Sequence, residues 1–414
     1  MTKRALLIAF HFPPQAGSSG IQRTLSFSKH LGSYGWEPLV ISAHPRAYDE
    51  QNHEQLASIS PQLVVERAFA LDAKRHLGYK GRYLELLALP DRWVSWWLGA
   101  VPAGRALIRR YKPQLIWSTF PIATAHLIGL TLHRLTGLPW VADFRDPMLQ
   151  PSYPDSPVQR KVYQWIEHQT ITRCRMAVFT THSAMNSYRT RFPHLPPSKF
   201  VVIENGYDED GFGEQPVAAL VPPASGRRIT LVHSGVLYQT GRDPSALFAA
   251  LAALRQGGAI DSTTLRVVLR APGDLAATAA LVEQFGVGDI VEVAAPVPYR
   301  VALQEMLEAD GLIVFQGTPF NTQIPAKIYE YFRSRKPILG LVDTAGETAR
   351  VLRAAGFESV ADIDSKDAIA PVLTCFIDDI RNGVVYYASD ELINASSRVY
   401  RARQLAEVFD KAIA

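Results

Sequence analysis

The strongest constraint on this chain is an alternation that runs twice along it: a short unbroken apolar segment, a Gly/Pro/Ser turn, a stretch with helical spacing, then another apolar segment. Residues 5–10 (ALLIAF) are the first apolar segment and residues 13–20 the turn. Ile21, Leu25 and Leu31 form the inward face of a helix ending near Gly32 or Gly35, and Pro38-Leu39-Val40-Ile41 follows as the next strand. An apolar run without polar alternation belongs to a strand covered on both faces. A strand–helix–strand unit of about forty residues is built into a parallel sheet. The rhythm continues at Leu63-Val64-Val65, Leu115-Ile116-Trp117, Trp140-Val141-Ala142, Ala177-Val178-Phe179 and Val201-Val202-Ile203.

Residues 206–228, rich in Gly, Pro and acids and without clear period, then read as a linker. Strands resume at Ile229-Thr230-Leu231-Val232, residues 265–269, Ile290-Val291-Glu292-Val293, Leu312-Ile313-Val314-Phe315 and Pro337-Ile338-Leu339. Helices are predicted over 244–255, 301–308, 326–334 and 395–414. A length of 414 residues, at ~150 per domain, allows two or three domains. The expectation is an α/β chain of two doubly wound domains, residues 1–205 and 206–394. In such sheets ligands sit beyond the carboxyl ends of the strands, so the loops leaving the strands are where chemistry belongs.

Composition closes off other classes. With 47% hydrophobic and 20% charged residues the chain is neither disordered nor fibrous. Its net charge of +4 does not advertise a nucleic-acid binder, and none is expected as a partner. Cys174 and Cys375, with no CxxC, exclude a disulfide scaffold and a zinc ribbon and fit a cytoplasmic protein. The N-terminal apolar run meets His11-Phe12-Pro13-Pro14 too early for a signal peptide, and no run is long enough to span a membrane. GxxxxGK[ST], GxSxG, HExxH and a complete GxGxxG are all missing, and the eleven histidines lack ligand spacing. Asp208-Glu209-Asp210 matches DxD but reads as a solvated acidic turn, so no metal site is expected.

Three strand-to-helix loops stand out. Phe12-Pro13-Pro14-Gln15-Ala16-Gly17-Ser18-Ser19-Gly20 opens a helix bearing Arg23. Glycines permit close backbone approach there, and a helix N-terminus offers unpaired N–H groups to an anion. His233-Ser234-Gly235-Val236-Leu237-Tyr238 leads into Gly241-Arg242-Asp243-Pro244. Gln316-Gly317-Thr318 precedes Ile324-Pro325-Ala326-Lys327-Ile328-Tyr329-Glu330-Tyr331-Phe332, which opens a helix before Lys336-Pro337-Ile338-Leu339. With Trp140-Val141-Ala142-Asp143-Phe144-Arg145-Asp146-Pro147 and Glu204-Asn205-Gly206-Tyr207-Asp208, these segments resemble the GT-B fold glycosyltransferases, specifically the glycosyltransferase 4-like group of bacterial surface-polysaccharide and lipid-linked glycan biosynthesis. They match that group's FPPxxGGxxR, WxxDFRDPW, NGxD and PxKxxEY…GKPI segments in order, over nearly the whole chain.

The resemblance implies two Rossmann-like domains facing across a cleft, with the helix at 395–414 crossing back onto the first. It implies metal-independent sugar transfer from a nucleotide-sugar donor (UDP- or GDP-sugar) to a glycan or lipid-linked acceptor, with retention of configuration. On the donor side it points to Ser234, Gly235, Arg242, Lys327, Glu330, Thr322 and Gly20: cations and N–H groups for the leaving diphosphate, and Glu330 for the ribose hydroxyls. On the acceptor side it points to Asp146 and Arg145 as catalytic, with Ser19, Arg23 and Asp143 binding the acceptor; an internal Asp–Arg ion pair holding the loop is the alternative, and for Asp143 it stands level with the binding role. His11 and His233 each follow a strand and are read as satisfied structural histidines. Two positions depart from the group: Thr322 stands where many members carry the first glutamate of an E-x7-E pair, and Val236 replaces a common arginine. A GT-B-type nucleotide-sugar epimerase and a non-catalytic nucleotide-sugar-binding protein are the alternatives.

Charge is unevenly placed. Residues 74–112 hold nine Lys/Arg against Glu85 and Asp91, a net +7, together with three of the seven tryptophans. Cations contribute ~1 kcal/mol each near an anionic leaflet, and tryptophans favour the headgroup zone. With Leu84, Leu86, Leu87 and Leu89 between them, Trp93, Trp96, Trp97, Arg92, Lys80 and Arg82 are the expected contacts of a peripheral protein on the inner face of the cytoplasmic membrane.

Overall fold

The computed structural model describes residues 3–16, 20–78, 88–150, 153–213, 226–384 and 386–414. Ser19, Lys80, Arg82, Leu84, Leu86 and Leu87 lie outside them. The chain forms two compact units, Met1–Asn205 with Arg398–Ala414, and Gly206–Ser397.

The first unit is built on β1 (Lys3–Ile8), β2 (Trp36–Ala43), β3 (Val64–Ala68), β4 (Leu115–Thr119), β5 (Trp140–Arg145), β6 (Met176–Phe179) and β7 (Phe200–Val202). They pair in parallel in the order β3-β2-β1-β4-β5-β6-β7. The unbroken apolar runs are explained by cover on both faces. Leu6, Ile8 and Phe10 point into one cluster with Leu39, Ile116 and Trp140, while Ala5, Leu7 and Ala9 point into another with Val40, Leu115 and Trp117. The C-terminal helix Arg398–Ile413 closes the second face with Leu405, Val408 and Phe409, whose ring meets Trp36 edge-on at 5.2 Å. It begins three residues after the expected position 395, because Ser396 is still tied to the second unit through its carbonyl, which accepts from the Tyr207 N–H at 3.1 Å.

The second unit is built on β8 (Ile229–Ser234), β9 (Leu265–Arg270), β10 (Val291–Ala294), β11 (Gly311–Gln316), β12 (Ile338–Val342) and β13 (Val360–Ala361), parallel in the order β10-β9-β8-β11-β12-β13. Leu231, Val267, Ile313 and Leu339 fill one side of the sheet; Val232, Val268, Leu312 and Ile338 fill the other. Each sheet therefore reverses its winding once, between β1 and β4 and between β8 and β11, where doubly wound sheets place ligands.

The linker reading needs correction at its start. Tyr207 and Phe212 are buried in the core of the second unit. The Asp208 carboxylate caps the short helix Glu209–Phe212, and Glu209 is ion-paired with Arg333. The acidic triplet thus opens a short helix rather than a turn, with Glu209 and Asp210 exposed to solvent as expected.

Candidate functional site

Cationic groups converge at the winding reversal of the second unit. β8 ends at Ser234, and Gly235 follows with φ +130°. A Cβ at Gly235 would lie 2.5 Å from Lys327 Nζ, so the missing side chain makes the space the ammonium occupies. Lys327 is the first residue of the helix Lys327–Ser334. Its Nζ is 3.3 Å from Nε2 of the fully buried His233, whose Nδ1 is 2.9 Å from the Ile313 carbonyl on β11. Arg242, after Gly241 (φ +84°), donates from Nε to Gln316 Oε1 at 3.0 Å, and its guanidinium lies 5.2 Å from the Tyr238 ring centre. The Gly317 N–H donates to the Gly241 carbonyl at 2.7 Å and ties the two loops together.

Crowding these cations has electrostatic consequences. Burial, and then the charge of Arg242, push Lys327 down to about 7, with Glu330 opposing. Burial, and then Lys327, hold His233 well below the usual imidazole range. Arg242 is lowered by burial and partly restored by Tyr238. Glu330 lies one helical turn beyond Lys327 and accepts from the Tyr299 hydroxyl at 2.7 Å. A half-buried cluster with this excess of positive charge favours an anion.

Of the expected donor-side residues, Gly235, Arg242, Lys327 and Glu330 stand in this arrangement. The backbone donors of Ser234 and Gly235 are already committed: the Ser234 N–H reaches the Tyr331 hydroxyl at 3.4 Å, and the Gly235 N–H donates to the Arg270 carbonyl at 2.8 Å. Their expected role as anion donors is therefore corrected, and Gly235 acts by yielding room. Thr322 is exposed on the loop between β11 and the helix of Lys327. Gly20 is the buried first residue of the helix Gly20–His30 in the first unit. Tyr299 and Gln316 were not expected. Both sit at the carboxyl end of a strand or just beyond it, the one sequence signal that marks them.

In the first unit the acceptor-side residues separate into two roles. Arg23 and Asp143 are 5% and 0% exposed and bonded to each other, Nε to Oδ2 at 2.9 Å and Nη2 to Oδ1 at 3.2 Å. Arg23 also donates to the Ile203 and Glu204 carbonyls at 3.0 Å each, and Thr119 Oγ1 donates to Asp143 Oδ2 at 3.2 Å. With both ends consumed inside the unit, the expectation that Arg23 and Asp143 hold the acceptor is corrected: they lock the helix Gly20–His30 to β5 and to the end of β7.

Arg145 and Asp146 differ. The β5–β6 register slips between Asp143 and Arg145, and Arg145 takes φ +57°, which turns the chain out of the sheet. Arg145 Nη1 donates to the Phe120 carbonyl at 3.4 Å. Burial raises the Asp146 carboxyl, with Arg145 opposing, whereas burial and then Arg145 push His11 down to about 3. A carboxylate raised toward neutrality beside an arginine, at the carboxyl end of a strand, suits proton transfer.

The membrane contacts change most. Trp96 is fully buried against Phe10, with ring centres 5.6 Å apart, because it belongs to the core under β1 and β2. Trp93 donates from Nε1 to the Ala47 carbonyl at 3.1 Å, and Trp97 donates to Thr131 Oγ1 at 2.9 Å. Arg92 is paired with Asp49 and Asp72 and stacks on Trp93 at 4.3 Å. The tryptophans and Arg92 are thus packing groups. The exposed face of the helix Trp96–Tyr111 carries Leu98, Arg105, Arg109 and Arg110 instead. Among the described residues no helix is long and apolar enough to cross a membrane, and no cluster of three or more His, Cys, Asp or Glu is gathered to hold a metal.

Residues 20–206 match the family model described as Glycosyl transferase 4-like domain. Solved structures similar to the whole chain include a sucrose-phosphate synthase from Thermosynechococcus elongatus, at 15% identity and TM-score 0.67, covering 99% of this chain and 98% of that one. HepE from Anabaena, in complex with UDP, is similar at 13% identity and TM-score 0.65, covering 99% of each chain. A UDP-N-acetylglucosamine 2-epimerase is similar at 14% identity and TM-score 0.56, covering 98% of this chain and 95% of that one. A comparison with curated proteins by sequence returns no match. The fold is therefore GT-B, and the enzyme class is glycosyltransferase. The likeness to the glycosyltransferase 4-like group by sequence is carried by residues 20–206.

Proposed function

We propose that this enzyme transfers a sugar from a UDP- or GDP-sugar to a glycan or lipid-linked acceptor, with no metal ion and with retention of configuration. The observation that carries the reading is the cluster of half-buried Lys327 and Arg242 with buried His233 at the winding reversal of the second unit, and Glu330 one turn away. As the glycosidic bond breaks, negative charge grows on the leaving nucleoside diphosphate. Preorganised cations aimed there stabilise the transition state, which is the work a divalent ion would otherwise do. Glu330, held by Tyr299, accepts from the ribose hydroxyls. Asp146, beside Arg145, orients or deprotonates the acceptor hydroxyl. UDP is the bound nucleotide in the HepE complex, which supports a uridine donor.

The deciding assay supplies UDP- and GDP-sugars with a polyprenyl-pyrophosphate-sugar acceptor in the presence of a chelator. Sugar transfer is the expected result, and Asp146→Asn should abolish most of it. Interconversion of free donor would instead make the chain an epimerase, and binding without turnover would leave a nucleotide-sugar-binding protein. Glu330→Ala is expected to weaken UDP binding about tenfold or more, since hydrogen bonds to a charged group contribute ~1.5–3 kcal/mol. Unchanged affinity by calorimetry would remove Glu330 from the nucleotide site.

The exposed arginines of the helix Trp96–Tyr111, with Leu98, fit a lipid-linked acceptor presented at an anionic cytoplasmic membrane surface. Vesicles rich in anionic lipid should sediment the protein, and salt should release it because the attraction is screened within ~10 Å at 0.1 M. Arg105→Glu with Arg109→Glu should abolish binding. Retention of the protein on vesicles at high salt would reject electrostatic docking.

A further inference from the structure

The lysine of the proposed donor site is unusually placed for a phosphate-binding cation. Its Nζ faces not a carboxylate but the Nε2 of a buried histidine, at 3.3 Å. That histidine is held on its other side, Nδ1 to the Ile313 carbonyl at 2.9 Å, and the Tyr331 hydroxyl donates to the same carbonyl at 3.2 Å. Nε2 also lies 3.1 Å from the Gly235 carbonyl, so the pairing requires the tautomer protonated at Nδ1, in which the Nε2 lone pair accepts from Lys327. Gly235 forms the roof over the amine, where a Cβ would lie 2.5 Å from Nζ.

We propose that His233 and Lys327 act as one proton-accepting pair: His233 Nε2 holds the Lys327 amine beneath Gly235, and arrival of a nucleoside diphosphate loads a proton onto that amine. The inference rests on the proposed donor site and adds a positioning residue and a pH dependence to it.

The groups facing the amine come from three elements. His233 is on β8, Arg242 on the loop before the helix Ser245–Gln256, and Glu330 and Tyr331 on the helix of Lys327 itself. Tyr238 faces Arg242 from the same loop. Burial and Arg242 disfavour the charged amine and outweigh Glu330, leaving it to titrate at about 7 in the free protein. A diphosphate reverses the balance by adding negative charge and raises the amine. Above that titration point the free amine is neutral and binding takes up a proton, so affinity falls as pH rises. The second ionisation of a terminal phosphate, near ~6, lies below this window and does not mask it.

The test is calorimetric titration of the full-length chain with UDP between pH 6.5 and 9, in two buffers of different ionisation heat. At pH 8 the wild type should take up roughly one proton, and its affinity should fall toward about tenfold per pH unit above 7. Lys327→Met should bind more weakly, without uptake and with a flat pH profile. His233→Leu should lose at least about tenfold in affinity and move the fall to lower pH, while His233→Gln, which keeps an acceptor near Nε2, should restore both. Binding without proton uptake overturns the pair even if His233→Leu does not fold. Wild-type affinity and pH profile in a folded His233→Leu also overturn it. No UDP binding by the wild type removes both this inference and the donor site beneath it.

Discussion

Arg23→Ala is expected to destabilise the first unit by about 3–5 kcal/mol, the usual cost of leaving one half of a buried ion pair without its partner. Asp143 is 0% exposed, and without Arg23 the side-chain hydrogen bond that remains to its carboxylate comes from the Thr119 hydroxyl. The same substitution strands the Ile203 and Glu204 carbonyls, where the last strand of the sheet leaves for the second unit. Thermal unfolding should shift by roughly 6–20 °C, at ~2–4 °C per kcal/mol for a unit of this size. Asp143→Ala should cost a similar amount. Replacing both residues together, Arg23→Met with Asp143→Leu, should recover much of the loss, because an apolar pair of similar volume needs no compensation. A shift below about 2 °C for either single change would mean that the pair is solvated in solution. The double variant also separates the two readings of these residues. If they touched the acceptor, a stable double variant would still lose transfer.

What could be read from the sequence followed from how strongly a residue type limits its surroundings. The runs at 5–10, 229–232 and 312–315 had no polar alternation, and a parallel strand covered on both faces is the structure that uses such a run. β13 went unseen because Val360–Ala361 is two residues long and has no period to detect. Glycine loops after strands marked the winding reversals, since the fold puts its ligands there. The role of each side chain in those loops was less legible. Gly235 looked like an anion-binding backbone, yet its N–H is spent on Arg270 and its value is the space it leaves for Lys327. Arg23 looked like a ligand cation, and only its distance to a carboxylate 120 residues away shows that it is structural. Trp96 misled for a related reason. A tryptophan among arginines has the composition of a membrane anchor, but the three-dimensional partner, Phe10 two residues beyond β1, is invisible to composition. Tyr299 gave no signal beyond its place after a strand, and its link to Glu330 exists only once the helices Tyr299–Glu308 and Lys327–Ser334 are packed together.

Gly235→Ala should then be the most damaging small change in the donor site. It asks an L-residue to hold φ +130°, at a cost of ~1–3 kcal/mol in stability. It also sets a methyl where Lys327 Nζ now lies, 2.5 Å away. The lysine is flexible and will move, so the protein should fold, with the cation displaced from the diphosphate. Removing one preorganised group that stabilises developing charge costs roughly 10²–10³ in kcat, and Lys327→Met should show the same loss directly. The two changes can be tied together by a cycle. If Gly235→Ala acts through the lysine, adding it to Lys327→Met should lower transfer by no more than about threefold further, since groups acting as a unit are not additive. Two full, multiplied losses would mean that the glycine serves the donor in some other way, with close approach of the sugar itself to the backbone as the physical alternative. Thermal unfolding of the same four proteins separates the strain from the chemistry: the backbone cost should appear in both alanine-containing chains, whether or not Lys327 is present.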